Sequence, residues 1–562
     1  MYSKRQLPSD LGNVEPGKRF RNNIADLFLS NDISAKRTQT IFSDAEIAGT
    51  AHVKQLAKPG SRGTNRNIHR DLLRKLSKNN KGWPPLYNAR VRVFDPKKQK
   101  EVKTWLSFSL PHELLGAILS KSDATLFYNK DNWNDNIKHH MEFACAELGV
   151  QQLIPLGLWG DGCPCNWDRS QSIEVFTMNF PGLSGDHGNI RLPITAINKK
   201  FCVNRNTFDD ILAIVAWSLR FCALGKYPSS RHSGAAFRPS DNFRRRRAGK
   251  DLGGQAVLAE IRGDWAFLKD CFRMPGWNEK SGCCWRCRVR PDEIRNASSA
   301  APWRSERLSH WDLMQMMIAK GHGICPLFSA PCIRSWIFQI DWLHTVDLGV
   351  AQDFLGNLFK LCLPKMDGRN LKARCANLFL LIQEYYRRKG VENKLDNLTL
   401  TMIYTAKKAP KLKTKGAETR GLIDFAVELS NTFLADNNVV EHTAKHAAIA
   451  LSRCYQCLSS SSHNHELLAS SCKQFCLLYV ALEATAIGKL WRVKPKLHLF
   501  QELCEMSTSR PVTCWTYRDE DFGGTMSRMS RRRGGRNSPY STARSLLLKF
   551  VARHGVPRIV RD

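Results

Sequence analysis

The stretch Leu153-Ile154-Pro155-Leu156-Gly157-Leu158-Trp159-Gly160-Asp161-Gly162 contains an apolar run, Leu153 to Trp159, that stops at a Gly-Asp-Gly turn. A short apolar run bounded by glycine reads as a buried strand. Downstream, Ile173, Val175 and Thr177 alternate, and so do Ile190, Leu192, Ile194 and Ala196, which predicts three consecutive strands in an antiparallel meander. Phe208 to Leu224 has helical periodicity and leads into a Ser/Gly/Arg-rich connector, Tyr227 to Lys250. Ala256 to Ile261 reads as a fourth strand ending at Gly263-Asp264, Trp265 to Phe272 as a short helix, and Trp336 to Ile340 as a fifth strand ending at Asp341. This order predicts a mixed α/β sheet with acidic residues at the ends of its first and fourth strands.

The flanks differ in character. Residues 1 to 100 are polar and basic, punctuated by Lys58-Pro59-Gly60-Ser61-Arg62-Gly63, and read as a partly disordered N-terminal arm. Residues 101–150 read as a helical segment before the core, with Leu114, Leu115, Ile118 and Leu119 at helical spacing and Pro111 at a helix start. Residues 151–349 form the first part of the core, and 350–490 an all-α insertion. In the insertion Leu355, Leu358, Phe359 and Cys362 make one apolar face, and Leu378, Leu381, Ile382 and Tyr385 another. Residues 491–562 return to the core with mixed character and end in a basic helix-like segment, Ser545 to Arg553.

At 562 residues the chain is long enough for roughly three or four units of about 150 residues. Its 85 Lys+Arg against 51 Asp+Glu leave a net charge of +34, which favours a polyanionic partner, nucleic acid first; dispersed, solvated charge is the bland alternative. The N-terminus has no apolar signal core, and the longest apolar stretches are broken by Arg220 and Glu483, short of the roughly 18–20 residues of a membrane span. The 19 cysteines lack a regular framework spacing and read as reduced intracellular thiols, some of them metal ligands.

Two carboxylates at neighbouring strand ends, joined by a third from a helix, can hold two divalent cations about 4 Å apart and clamp both oxygens of a phosphodiester exchange. Mg²⁺ (or Mn²⁺) suits such oxygen ligands. Asp161 and Asp264 fit the first two places; taken singly, each also fits a turn residue or helix cap.

With Cys284-Trp285-Arg286-Cys287 after Gly263-Asp264, and Asp341-Trp342-Leu343-His344 before the helical insertion, the order of motifs resembles eukaryotic cut-and-paste transposases with an RNase H-like DDE core, nearest to the CACTA, Plavaka and KDZ types. The resemblance covers roughly residues 150 to 535 in motif order and local pattern, and leaves the first 100 residues outside it. It implies an RNase H-like core, and a final Glu within Trp515-Thr516-Tyr517-Arg518-Asp519-Glu520-Asp521-Phe522-Gly523-Gly524, where Glu520 is the choice and Asp519 and Asp521 compete. It implies that Asp161 bridges two ions while Asp264 and Glu520 hold one each, and that Asp341 and His344 support DNA near the scissile phosphate; a capping Asp and a packed His is the alternative.

Thiolates in a Cys-x-x-Cys turn can share one Zn²⁺, so Cys284 and Cys287 are candidate ligands. The resemblance, extended to the V(D)J recombinase, adds His498; Cys504 is a candidate fourth ligand and Cys283 a bystander. A rival set, Cys454 and Cys457 with His463 and His465, reads better as buried helix cysteines. The densest cationic stretches are Arg244, Arg245, Arg246 and Arg247; Arg528 with Arg531, Arg532, Arg533 and Arg536; and Lys407, Lys408, Lys411, Lys413 and Lys415. Each reads as a DNA contact or a solvated face, and Arg244 to Arg247 equally as a nuclear-import signal. Phe243, Trp515 and Tyr517 beside them could stack on bases.

The implied activity is metal-dependent DNA cleavage and strand transfer in the nucleus, with DNA as partner, no membrane, and a homo-oligomer compatible with it. A catalytically inactive, domesticated DNA-binding protein that keeps the fold is the alternative, and an RNase H-like nuclease without transposition a third reading.

Overall fold

A computed structural model describes residues 14–58, 67–79, 82–166, 168–280, 282–321, 323–405, 408–459, 461–531 and 538–561. The N-terminal stretch expected to be a partly disordered arm instead carries three principal helices, α1 (Pro16–Leu29), α2 (Ala35–Ile47) and α3 (Ile68–Asn79). Glu15 caps α1 through the amides of Gly17 and Lys18, and Ser34 caps α2 through Arg37. Each helix has only a narrow apolar stripe, so composition alone reads as disorder. Together Phe28, Leu29, Phe42, Leu56, Leu72 and Leu76 bury a core of their own. The tie to the rest of the fold is remote in sequence: Asn31 Nδ2 donates to the carbonyls of Arg528 and Met529 (2.7 and 3.0 Å), and Lys549 Nζ donates to Asn31 Oδ1 at 2.5 Å.

A hairpin follows, β1 (Tyr87–Asp95) against β2 (Lys100–Phe108), with Ala89, Val91 and Val93 buried on one face. Residues 101–108 therefore lie in a strand, and the helical segment expected over 101–150 begins instead at Pro111, which opens α4 (Pro111–Leu119). α5 (Asp135–Leu148) is capped by Asn134 and ended by Gly149 at φ 66°.

The central sheet contains β3 (Ile154–Pro164), β4 (Ser172–Asn179) and β5 (Arg191–Asn198), which run antiparallel in succession. α6 (Asn204–Leu224) then crosses to β6 (Ala256–Gly263), which pairs parallel to β3, giving the order β5-β4-β3-β6. β3 runs past the expected stop at Gly160: its ladder with β6 ends at Gly160↔Gly263, but its ladder with β4 continues to Pro164, so Asp161 lies within the strand. The expected fifth strand is reduced to one parallel bridge, Ile261↔Phe338, with Gln339 N donating to Ile261 O at 2.9 Å. Ser335–Ile337 forms a 3₁₀ turn instead of extending that ladder.

α7 (Trp265–Phe272) follows β6 and lays Phe267 across the β3/β6 seam. A Cβ on Gly160 would stand 2.1 Å from the Phe267 ring, and one on Gly263 would stand 2.6 Å from it. The bare backbone at both positions is what lets α7 start directly over the end of the β3/β6 ladder.

After a π-helical stretch, Leu343–Val350, that continues into α8 (Ala351–Cys362), the described residues of the insertion are mostly helical, with an irregular passage over much of 390–415: α9 (Leu371–Lys389), α10 (Ile423–Phe433), α11 (Val439–Gln456) and α12 (His465–Thr485). Leu355, Leu358, Phe359 and Cys362 are fully buried, as are Leu378 and Ile382, whereas Leu381 faces out. α12 is long and apolar enough to cross a membrane by length and composition, yet it is packed against its neighbours through Leu468, Cys472, Phe475, Cys476, Tyr479 and Leu482. The segment after residue 491, expected to be of mixed character, is helical: α13 (Pro495–Glu505), α14 (Tyr517–Ser530) and α15 (Pro539–Arg553).

Gly160→Ala should lower stability by about 1–3 kcal/mol, since Phe267 is buried and has no room to retreat. Urea unfolding of the variant against the parent measures this, and an unchanged midpoint would contradict the packing described.

Candidate active site

Because β3 and β6 are parallel with Gly160 opposite Gly263, the next residue of each chain, Asp161 and Asp264, leaves the seam at the same level. Asp161 accepts from the amide of Gly162 at 2.7 Å, and Asp264 caps α7, accepting from Phe267 N at 2.6 Å. Glu520, in the first turn of α14, stands close enough to Asp161 for its carboxyl to feel that charge. Burial, then the facing charge of Asp264, raises the Asp161 carboxyl; burial, then Asp161, pushes Glu520 up to about 8. The three acids, some 360 positions apart at the extremes, therefore meet in one place. A cavity of about 160 Å³ opens beside the two aspartates and is lined also by Glu174, Asp270 and Lys199.

The seating of α14 decides among the competing acids. Asp519 is buried in an ion-pair network, bonded to Arg191 Nε and 3.5 Å from Arg262 NH1, while Arg262 NH2 lies 2.5 Å from Glu260. Arg262 also donates to the carbonyls of Thr513 and Trp515. Asp519 is thus a fastening to the sheet, and its neighbour Glu520 is the residue that turns to Asp161. Gly523 completes the approach: a Cβ there would lie 2.9 Å from both Trp159 and Cys163 Sγ on β3.

Asp341 is buried and accepts from the amides of Leu343 (3.2 Å), His344 (2.8 Å) and Thr516 (2.8 Å). It also holds His344 Nδ1 at 2.6 Å, and the other ring nitrogen lies 3.7 Å from Glu520 Oε1. Burial opposes the imidazolium, but Asp341, with Glu520 and Asp161, raises His344 to about 9, so it carries charge at neutral pH. Asp341 therefore caps and orients, and His344 faces the acids.

A second cluster joins Cys284, Cys287, His498 and Glu502, all buried, with their ligand atoms within 4.8 Å of one another. His498 Nε2 lies 3.2 Å from Cys287 Sγ and 3.6 Å from Glu502 Oε1, near the separations of about 3.3–3.8 Å that tetrahedral zinc bonds of about 2.0–2.3 Å produce. Against the effect of burial, Cys287 and His498 hold the Cys284 thiol down to about 6, while Arg307 grips Glu502 at 2.7 and 2.8 Å. Glu502 takes the place considered for Cys504, which points instead to Cys472 in the helical core; one helical turn from His498, Glu502 had a readable spacing that a search for a second His or Cys passes over. Cys283 stays outside the cluster, and Cys454 and Cys457 are buried, with Cys454 on α11.

The cationic stretches fare unevenly. Arg244 is buried and locked onto Glu113 (2.7 and 2.9 Å) and Asp241, so it is no DNA contact; Arg245 and Arg246 are exposed and Arg247 lies over Phe243. Arg528, Lys408, Lys413 and Lys415 are exposed, whereas Lys411 donates to the Leu348 carbonyl at 2.8 Å. Arg532, Arg533, Arg536 and Lys407 lie outside the described residues. A groove of about 910 Å³ between α3 and α15, lined by Arg70, Arg74, Lys78 and Arg544, is a cationic surface assembled from segments that no single run of sequence reveals.

Comparison with protein-family models and with curated proteins finds no match for the chain.

Glu520 titrates near about 8 in the folded state against 4.5 for the free group, so between those values the folded protein binds the proton better and loses stability as pH rises. In chelator, Glu520→Gln should melt above the parent at about pH 8 and converge with it near about pH 4. Parallel melting curves at every pH would show that Glu520 is not held among like charges.

Proposed function

We propose that the chain is a metal-dependent DNA-cleaving and strand-transferring enzyme of the DDE transposase kind, built on an RNase H-like core and working on DNA in the nucleus. The observation that carries the reading is the convergence of Asp161, Asp264 and Glu520 from the end of the parallel β3/β6 ladder and a helix beyond the insertion. The sheet order β5-β4-β3-β6, with Phe338 bridged beyond β6, supports it as the expected strand arrangement with its fifth member reduced.

The donor set fits hard divalent cations: all three ligands are carboxylates, and Glu520 Oε1 is buried with no hydrogen-bond partner. Mg²⁺ or Mn²⁺ held there would supply Lewis acidity to a phosphodiester and its attacking oxygen. The chain's own part is orientation: Asp264 is fixed by its capping bond, Glu520 by the fastening of Asp519, and His344 presents a positive imidazolium beside them. The α3/α15 groove and the exposed Arg528 offer positive surface for a phosphate backbone. The Cys284, Cys287, His498 and Glu502 cluster fits structural Zn²⁺ because it offers four ligand residues, the number a closed tetrahedral site takes.

Asp161→Asn and Asp264→Asn should each abolish Mg²⁺-dependent nicking of a labelled duplex while leaving its affinity within about twofold, since neither carboxylate binds a phosphate directly. Unchanged nicking would remove the residue from the site; binding without nicking in the parent would favour the inactive DNA-binding alternative.

Elemental analysis of the purified protein should find one zinc per chain, lost in Cys284→Ser together with stability. A zinc-free, fully folded parent would refute the zinc assignment.

A further inference from the structure

Asp347 is wholly buried on the π-helical stretch Leu343–Val350, just beyond His344, yet it lies outside the acid cluster. Its carboxylate is a junction. Oδ2 accepts from Tyr517 OH at 2.7 Å, and Oδ1 accepts from Tyr455 OH at 2.5 Å and Trp342 Nε1 at 3.3 Å. Tyr517 is the first residue of α14, in the same turn as Glu520, and Tyr455 belongs to α11 in the insertion. A second tether runs alongside: Arg420, on the insertion turn Gly416–Arg420, lies over the Trp515 ring at 5.1 Å, and that ring packs edge-on to Tyr517 at 5.2 Å.

A buried carboxylate stripped of one donor bears a desolvation penalty, so all three donors are held to it, and the two phenols become mutually fixed. Wide π turns recur at functional sites, and here the turn carries His344 and Asp347 together.

We propose that Asp347 is a positioning residue through which the helical insertion sets the placement of Glu520, the link running Tyr455–Asp347–Tyr517. The proposal rests on the reading of the acids as a cation site only for its functional readout, since the link itself is geometric. The insertion is then a brace for the catalytic helix, and loosening a hydroxyl on α11 should be felt at the acids although Tyr455 touches none of them.

The test uses the full-length protein with Tyr455→Phe and Tyr517→Phe, which keep the rings and remove only the hydroxyls, and Asp347→Asn, which keeps the shape. Three quantities are read: Mn²⁺ affinity by electron paramagnetic resonance, single-turnover cleavage beside DNA affinity, and amide hydrogen exchange along α14. Expected for Tyr455→Phe are Mn²⁺ binding and cleavage weakened roughly tenfold or more with DNA affinity unchanged, and faster exchange in the first turn of α14. Tyr455→Phe and Tyr517→Phe should combine non-additively, as members of one junction do. Parent-like Mn²⁺ affinity, cleavage and exchange in Tyr455→Phe would overturn the proposal. Should the parent itself neither bind Mn²⁺ nor cleave, the cation-site reading falls, and exchange alone decides the link: faster in Tyr455→Phe upholds it, unchanged refutes it.

Discussion

Mutual repulsion among Asp161, Asp264 and Glu520 is the constraint around which this protein is built. Burial, then neighbouring carboxylates, raises the proton affinity of Asp161 and Glu520 and opposes folding, so each acid must be held by something stronger than its own preference. Asp161 is held by the strand ladder, Asp264 by its cap on α7, and Glu520 by its neighbour. That neighbour, Asp519, sits in a buried network with Arg191, Arg262 and Glu260, and removing one partner of such a network typically costs about 3–5 kcal/mol. A fold that merely needed a helix at this place could use apolar contacts. Charged fastenings that fix a helix's rotation suit a site where one residue must face inward and the preceding one must face the sheet.

The chain builds both of its clusters in two instalments. The segment before the insertion supplies Asp161, Asp264, Cys284, Cys287, Asp341 and His344, and the tail after it supplies His498, Glu502 and Glu520. α13 closes the Cys/His/Glu cluster and α14 closes the acid cluster, so both clusters need the tail beyond the insertion. Hydrogen bonds across that junction, such as Thr516 N to Asp341 at 2.8 Å, register the two instalments against each other. The N-terminal helices add a further clasp on the same tail through Asn31 and Lys549.

Much of this was legible in local pattern. The strand alternation at Ile173, Val175 and Thr177, the helical spacing of Leu355, Leu358 and Phe359, and the Gly-Asp pairs pointed to the sheet, the insertion and the two aspartates, while Glu520 was chosen only through the family resemblance. The rest depended on contacts that sequence does not carry. Helices α1 to α3 bury narrow stripes on one another and on α15, so their polar composition resembled disorder. Of the β1/β2 hairpin, β1 lies in the stretch read as an arm and β2 where a helical period was expected, because Trp105 and its neighbours satisfy both periods over a short window. The fifth strand shrank to one bridge since Ser335–Ile337 turns away after the 3₁₀ step. Arg244 looked like part of a cationic face, but a buried Glu113, distant in sequence, claims it. Asp347 gave no signal at all: a lone aspartate among apolar residues acquires meaning only when two tyrosines arrive from other helices.

The central claim is that the three acids share cations, and anomalous diffraction from crystals soaked in Mn²⁺ tests it most directly. Manganese peaks within coordination distance of Asp161, Asp264 and Glu520 are the predicted result. An acid pocket empty of manganese at saturating concentration, or peaks confined to surface carboxylates, would contradict it.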